Sequence, residues 1–182
     1  MKLVFKIRGL IMVPPMLLAV LCTWGEVEVE VFVFGLGGLV FLLGLGLRFW
    51  AQLHLRYRLR VKKTLTTTGP YAYTRNPIYI GNTLLLAGMS MLAELFWLVP
   101  IQVLYCAVIY HFVVAYEEAR LSEKYGLMYL DYMSRVPRWI PKLRPSENYK
   151  MSLRSLLIPA ALAEAHNLLL LLPAIIKEVV VA

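Results

Sequence analysis

The sequence predicts an all-α fold, a polytopic α-helical membrane protein, and three observations predict it. Only 16% of the 182 residues are charged and 60% are hydrophobic, against about 25% charged in ordinary soluble domains. Residues 9–25, 31–47, 76–93 and 95–116 contain no Asp, Glu, Lys or Arg, and each approaches the roughly 17–25 residues that carry a helix across the hydrocarbon. The remaining charges are sorted by side. Lys2, Lys6 and Arg8 precede the first apolar run, six cations from Arg48 to Lys63 follow the second, and seven from Arg120 to Lys150 follow the fourth. The two opposite hairpin tips carry acids only: Glu26, Glu28 and Glu30 in one, Glu94 in the other.

Four transmembrane helices are therefore expected, with the N-terminus, the middle loop and the region after residue 116 on the cytoplasmic side by the positive-inside rule. The net charge of +8 then reads as contact with anionic headgroups of the lipid bilayer, and nucleic acid is excluded as a partner. In the first span, "MVPPMLLAVLCTW" has no small-x-small cleavage pattern and leads at once to another span, so it reads as a retained helix rather than a signal peptide. Pro14 and Pro15 should kink it, which membrane helices tolerate when neighbours satisfy the freed carbonyls. In the second, "GLGGLVFLLGLG" places Gly37 and Gly44 on one face, where another helix can approach closely; no strand precedes it, so a nucleotide loop is disfavoured. Residues 48–63, "RFWAQLHLRYRLRVKK", read as a helix continuing along the interface, with Trp50 and Tyr57 in the aromatic belt.

Spans three and four form a short hairpin. After them Leu121, Tyr125, Tyr129 and Tyr132 recur at helical spacing, which predicts an amphipathic helix to about residue 134, ended by Pro137 and Pro141. The apolar segment 152–182 is interrupted by Pro159, Glu164, His166, Asn167 and Pro173; a fifth span, a re-entrant pair and two interfacial helices all fit it. The whole chain, 1–182, is expected to be a single integral-membrane domain. Cys22 and Cys106 lie inside apolar spans and read as packing residues. His54, His111 and His166 have no ligand spacing, so no metal site is expected.

Two polar clusters carry the chemistry. Tyr71, Tyr73, Arg75, Asn76 and Tyr79 stand just before and at the start of span three, and Glu117 and Glu118 stand at the end of span four. The hairpin returns the end of one span to the start of the other, so the clusters can form one site. Neighbouring helical residues point about 100° apart: one carboxylate can pair with Arg75 while the other faces a cationic ligand, or both can pair with Arg120 and Lys124 at the membrane edge. Ionisable groups in such places raise the expectation of function.

"GPYAYTRNPIY", followed some forty residues later by "EE", resembles the signature of the isoprenylcysteine carboxyl methyltransferase and phospholipid methyltransferase superfamily of integral-membrane enzymes. That family's pattern is roughly Gly-Pro-Tyr, three residues, Arg-His-Pro-x-Tyr, a helical hairpin, Glu-Glu, and a downstream Tyr-x-x-Tyr with Val-Pro. Gly69, Pro70, Tyr71, Arg75, Pro77, Tyr79, Glu117, Glu118, Tyr129, Tyr132, Val136 and Pro137 correspond, over about residues 45–141. Asn76 stands where many members have histidine, which resembles the phosphatidylethanolamine N-methyltransferase branch; the glycine pair that this branch carries upstream is not evident around "RFWAQL".

The resemblance implies methyl transfer from S-adenosylmethionine, with S-adenosylhomocysteine as product, to a lipid or other hydrophobic small molecule. It implies Arg75, Asn76 and Glu118 as catalytic residues. Gly69, Tyr71, Tyr73, Pro77, Tyr79, Glu117 and Tyr129 join them around the cofactor. The residue chemistry agrees: Arg75 offers a fork for a carboxylate, a glutamate suits an ammonium or ribose, and tyrosine faces suit adenine or a sulfonium. In-line displacement at a methyl needs alignment and exclusion of water rather than a metal or an enzyme nucleophile. Arg138, with Trp139 beside it in "VPRWIP", is the candidate for an anionic group of the substrate. A non-enzymatic transporter subunit or scaffold, its charges serving as interfacial anchors, is the alternative; a lipid-binding module that keeps the fold without activity is a third reading.

Overall fold

The computed structural model describes residues 13–22, 24, 31–56, 64–145, 157–165 and 167–168. Every regular element among them is helical: α1 (Val13–Leu21), α2 (Val31–Arg56), a 3₁₀ turn (Gly69–Ala72), α3 (Pro77–Leu92), α4 (Leu98–Tyr125), α5 (Leu127–Arg135) and α6 (Leu157–Ala165).

Small residues set the closest packing. Helices α2 and α3 run antiparallel, and a Cβ added at Gly44 would lie 2.9 Å from the Gly81 carbonyl and 2.8 Å from the Leu85 nitrogen. At Gly88 it would lie 2.5 Å from the Phe41 nitrogen, and at Gly37 2.9 Å from Met91 Cβ. The shared face of Gly37 and Gly44 expected from the sequence is thus the α2–α3 seam, where backbone meets backbone. Replacing Gly88 with leucine puts a side chain into the Phe41 backbone; loss of about 1–3 kcal/mol or more is expected from such overpacking, read as a lower unfolding midpoint in detergent micelles. Gly46, with open space at its Cβ position, is the control that should tolerate the same change.

Behind the seam, Phe41, Leu85, Leu86, Met89, Leu98, Val113 and Val114 form the dry core, joined by Cys106 and Tyr110. Cys106 lies in that core and Cys22 packs against it. Ser90 donates to Gln102 at 2.8 Å, and Gln102 donates to the Pro15 carbonyl at 3.3 Å, so these two buried polar side chains are paired. On the outside, α2 exposes Leu36, Leu39, Leu42 and Leu43, and α4 exposes Ile101, Leu104, Val108 and Phe112. Faces this apolar need lipid rather than water against them.

The span count differs from expectation. Among the described residues two stretches are long and apolar enough to cross a membrane, Phe34–Leu55 and Leu98–Tyr125, rather than four. Helix α3 has 16 residues, short of bilayer length, because Pro77 opens it where Arg75 and Asn76 are diverted into the polar site. Its end is a Schellman closure: Leu95 N–H bonds to the Ser90 carbonyl and Glu94 N–H to the Met91 carbonyl, with Glu94 at φ +61°. The first expected span lies partly outside the described residues, as do Tyr57 and most of segment 152–182.

Helix α2 continues past its apolar run to Arg56, in line with the continuing helix expected there. The single amphipathic helix expected to about residue 134 is instead two, because Gly126 takes φ +53°, a left-handed turn that glycine adopts without steric cost. After it, α5 lays Tyr129 and Tyr132 into a second cluster with Leu65 and Val136. Val136, extended ahead of Pro137, ends α5.

Candidate active site

The site grows from the loop between α2 and α3. Gly69 sits at φ +62°, and a Cβ there would lie 2.5 Å from the His54 ring, so glycine lets the 3₁₀ turn close on α2. His54 Nδ1 is 3.1 Å from Thr68 Oγ1. From this turn the chain runs without regular structure to Pro77 and is clamped by α5 and the segment after it. Arg75 N–H donates to the Pro137 carbonyl at 3.0 Å, Lys142 N–H to the Tyr73 carbonyl at 3.1 Å, and Tyr132 O–H to the Tyr71 carbonyl at 2.8 Å. Thr74 Oγ1 and Asn76 Nδ2 both donate to the Arg138 carbonyl, at 3.1 and 3.0 Å.

This clamp brings the two polar clusters together. Glu118, buried on α4, pairs with two guanidiniums: Arg75 Nη2 forms an ion pair with its Oε1 at 3.3 Å, while Arg138 Nε donates to Oε1 at 3.1 Å and Arg138 Nη2 to Oε2. Glu118 therefore pairs with Arg75 and Arg138 rather than with Arg120 or Lys124 at the membrane edge. Two nitrogens of Arg75, Nε and Nη1, are buried with no hydrogen-bond partner, although the side chain is only 10% exposed. A desolvated guanidinium with vacant donors is costly unless an anion completes it.

Beside this cluster opens a cavity of about 900 Å³, at the upper end of the roughly 300–1,000 Å³ of small-molecule sites. Of the residues expected around the cofactor, Tyr71, Arg75, Asn76, Pro77, Tyr79, Glu117, Glu118 and Tyr129 line it. Gly69 and Tyr73 do not: Gly69 backs onto His54, and the Tyr73 ring lies 6.1 Å from that of Trp50. Arg138, expected to hold a substrate anion, instead spends its guanidinium on Glu118, while Trp139 packs against the core. Burial pushes the Tyr129 phenol up to about 12, with the Glu118 charge adding to the shift and Arg75 and Arg138 opposing it. Burial raises Tyr71 further, with Tyr79 adding and Arg48 opposing. Both phenols therefore stay protonated near neutral pH and can donate.

Several polar residues here escaped the sequence reading. Thr66 and Asn82 line the cavity. Asn82 Nδ2 donates to Tyr110 Oη at 3.1 Å, and its Oδ1 accepts from Arg48 Nη1. Because arginine offers only donors, this bond fixes the amide with its oxygen toward Arg48. Arg48, expected among the headgroup-facing cations, is turned inward: its Nε bonds Glu164 Oε2 on α6 at 2.7 Å, and Asn167 Nδ2 donates to the same oxygen at 2.7 Å. The signal was Glu164, the one Asp, Glu, Lys or Arg in the apolar sequence 155–176, since intramembrane charges are kept in pairs. Among the described residues no group of three or more His, Cys, Asp or Glu is gathered as a metal site.

Residues 32–127 match the family model described as phospholipid methyltransferase. The nickel-cobalt-cadmium resistance protein NccN of Alcaligenes xylosoxydans xylosoxydans is 32% identical over 96 residues, 53% of this chain and 44% of that protein. The cobalt-zinc-cadmium resistance protein CzcN of Cupriavidus metallidurans is 29% identical over 96 residues, 53% of this chain and 43% of that protein. The chain thus spans less than half the length of these curated relatives. No solved structure matches it.

Proposed function

The chain belongs to the phospholipid methyltransferase family, and from that premise we propose that its cavity binds S-adenosylmethionine and serves methyl transfer to a lipid or other hydrophobic acceptor at the cytoplasmic membrane interface. The family points to a methyltransferase at a membrane; cofactor, acceptor and orientation belong to the proposal. The observation that carries it is Arg75, whose Nε and Nη1 are buried without partners beside a cavity lined by tyrosines and carboxylates. That donor set fits the cofactor's amino-acid carboxylate. Glu117, half-buried on the same wall, is the carboxylate we assign to its ammonium, and Tyr71, Tyr79 and Tyr129 supply faces for adenine and sulfonium. When bound, the cofactor supplies the electrophilic methyl; the chain orients it and excludes water.

Asn76 has one amide hydrogen on the Arg138 carbonyl, so its part is to hold the motif loop in register while its remaining face lines the cavity. The acceptor reaches the site from the bilayer, with Leu55 and Ile78 on the cavity wall giving an apolar approach. A metal-handling reading, which the names of the two relatives suggest, finds less support: Glu118 is taken by two guanidiniums, and among the described residues the cavity lining has neither His nor Cys.

The test is transfer of a labelled methyl from S-adenosylmethionine to a membrane lipid extract supplemented with prenylated thiols. Label in an extractable lipid or thiol is expected; none, from protein that binds the cofactor, would leave the binding-module reading. Arg75→Ala is expected to weaken cofactor binding by about 1.5–3 kcal/mol, the worth of a hydrogen bond to a charged group, roughly ten- to hundredfold in Kd. Unchanged affinity would move the carboxylate site elsewhere.

A further inference from the structure

Resting on the cofactor reading above, we infer that Thr66, a residue outside the motif, is the second donor to the cofactor's carboxylate, and that with Arg75 it makes the site select its ligand by the amino-acid moiety. Thr66 is 7% exposed, lines the cavity, and its Oγ1 is buried with no hydrogen-bond partner. Buried hydroxyls are ordinarily paired. This one has the same vacancy as Arg75 Nε and Nη1 on the lining of the same cavity.

The two lie in one neighbourhood. Leu65, next to Thr66, packs in a cluster with Tyr129, and Tyr129 feels the charges of Glu118, Arg75 and Arg138. Charge decides the sign of the missing partner. Arg75 and Arg138 set two positive charges against the single carboxylate of Glu118, an excess of one positive in a cluster whose Arg75 and Glu118 are buried and whose Arg138 is a third exposed. An anion with two oxygens answers both needs, since it neutralises the excess and accepts from the guanidinium and the hydroxyl together. Of the cofactor's groups only the carboxylate is an anion. Adenine and ribose bring acceptors but no charge, so they would leave the excess in place.

The experiment compares two ligands by calorimetry on the full chain in micelles: S-adenosylhomocysteine, and methylthioadenosine, which has the same nucleoside and thioether but no amino-acid moiety. In Thr66→Val, which keeps the shape and removes the hydroxyl, affinity for S-adenosylhomocysteine is expected to fall about tenfold, one charge-assisted hydrogen bond. Affinity for methylthioadenosine is expected to be unchanged, and Thr66→Ser should restore the difference. The unliganded unfolding midpoint should hold or rise, because an unsatisfied buried hydroxyl has been replaced by a methyl; a drop would mark the hydroxyl as structural and overturn the assignment. Equal weakening of both ligands would put Thr66 against the nucleoside, and unchanged S-adenosylhomocysteine affinity would remove it from the site; either overturns the inference. Wild-type protein that binds neither ligand overturns the cofactor reading itself, and the inference with it.

Discussion

Glu164→Ala is expected to destabilise the protein by about 3–5 kcal/mol, the cost of leaving a buried charge without its partner. Arg48 and Glu164 have side chains only 11% and 4% exposed, so solvent screening does little to reduce the loss. The change strands Arg48 and Asn167 together, and it loosens Asn82, whose amide Arg48 fixes. Glu164→Gln keeps an acceptor at the same place and should cost less. The double change Arg48→Met with Glu164→Leu should recover much of the loss, since an apolar pair of similar volume removes both desolvated charges. A cycle of these variants, followed by denaturation in micelles, reads the coupling directly. Full stability in Glu164→Ala would mean that α6 does not pack on α2 as described.

Glu118→Ala carries the second large effect. It leaves Arg75, which is 10% exposed, and Arg138, which is 32% exposed, without the carboxylate that holds both. For Arg75 the loss is that of a buried pair, about 3–5 kcal/mol in unliganded stability, whereas Arg138 can turn toward water and adds little. Glu118→Gln preserves the shape and should cost less stability. It should still weaken S-adenosylhomocysteine binding by about 1–3 kcal/mol, because Arg75 loses the contact that aims its free nitrogens. Arg138→Ala is the comparison: Glu118 keeps Arg75, so both stability and binding should fall less. Equal losses in Arg138→Ala and Glu118→Ala would show that Arg138, not Arg75, is the partner that matters.

The heart of the site was legible because it rests on local rules. A hairpin must return Glu117 and Glu118 to the level of Arg75 and Asn76, and all four line one cavity. Helical spacing put Gly37 and Gly44 on one face, and the α2–α3 seam lies there. What escaped depends on long-range pairing or on a single backbone torsion. Arg48 and Glu164 are 116 residues apart, and periodicity carries no information on which buried acid will meet which base. Gly126 falls inside the expected helix, yet its φ of +53° splits that helix in two and turns Tyr129 and Tyr132 onto the motif loop. Arg138 read as a substrate ligand because its chemistry suits an anion; the anion it meets is Glu118. Thr66 gave no signal in a run of threonines, since only the fold tells which of them lacks a partner.

The most direct measurement is a calorimetric titration of S-adenosylhomocysteine into the purified wild-type chain in lipid nanodiscs. Saturable binding of one ligand per chain is the expected result, because one cavity gathers Arg75, Glu117, Glu118 and the tyrosines. No binding at millimolar ligand would contradict the account, since the vacant donors of Arg75 would then await some other anion.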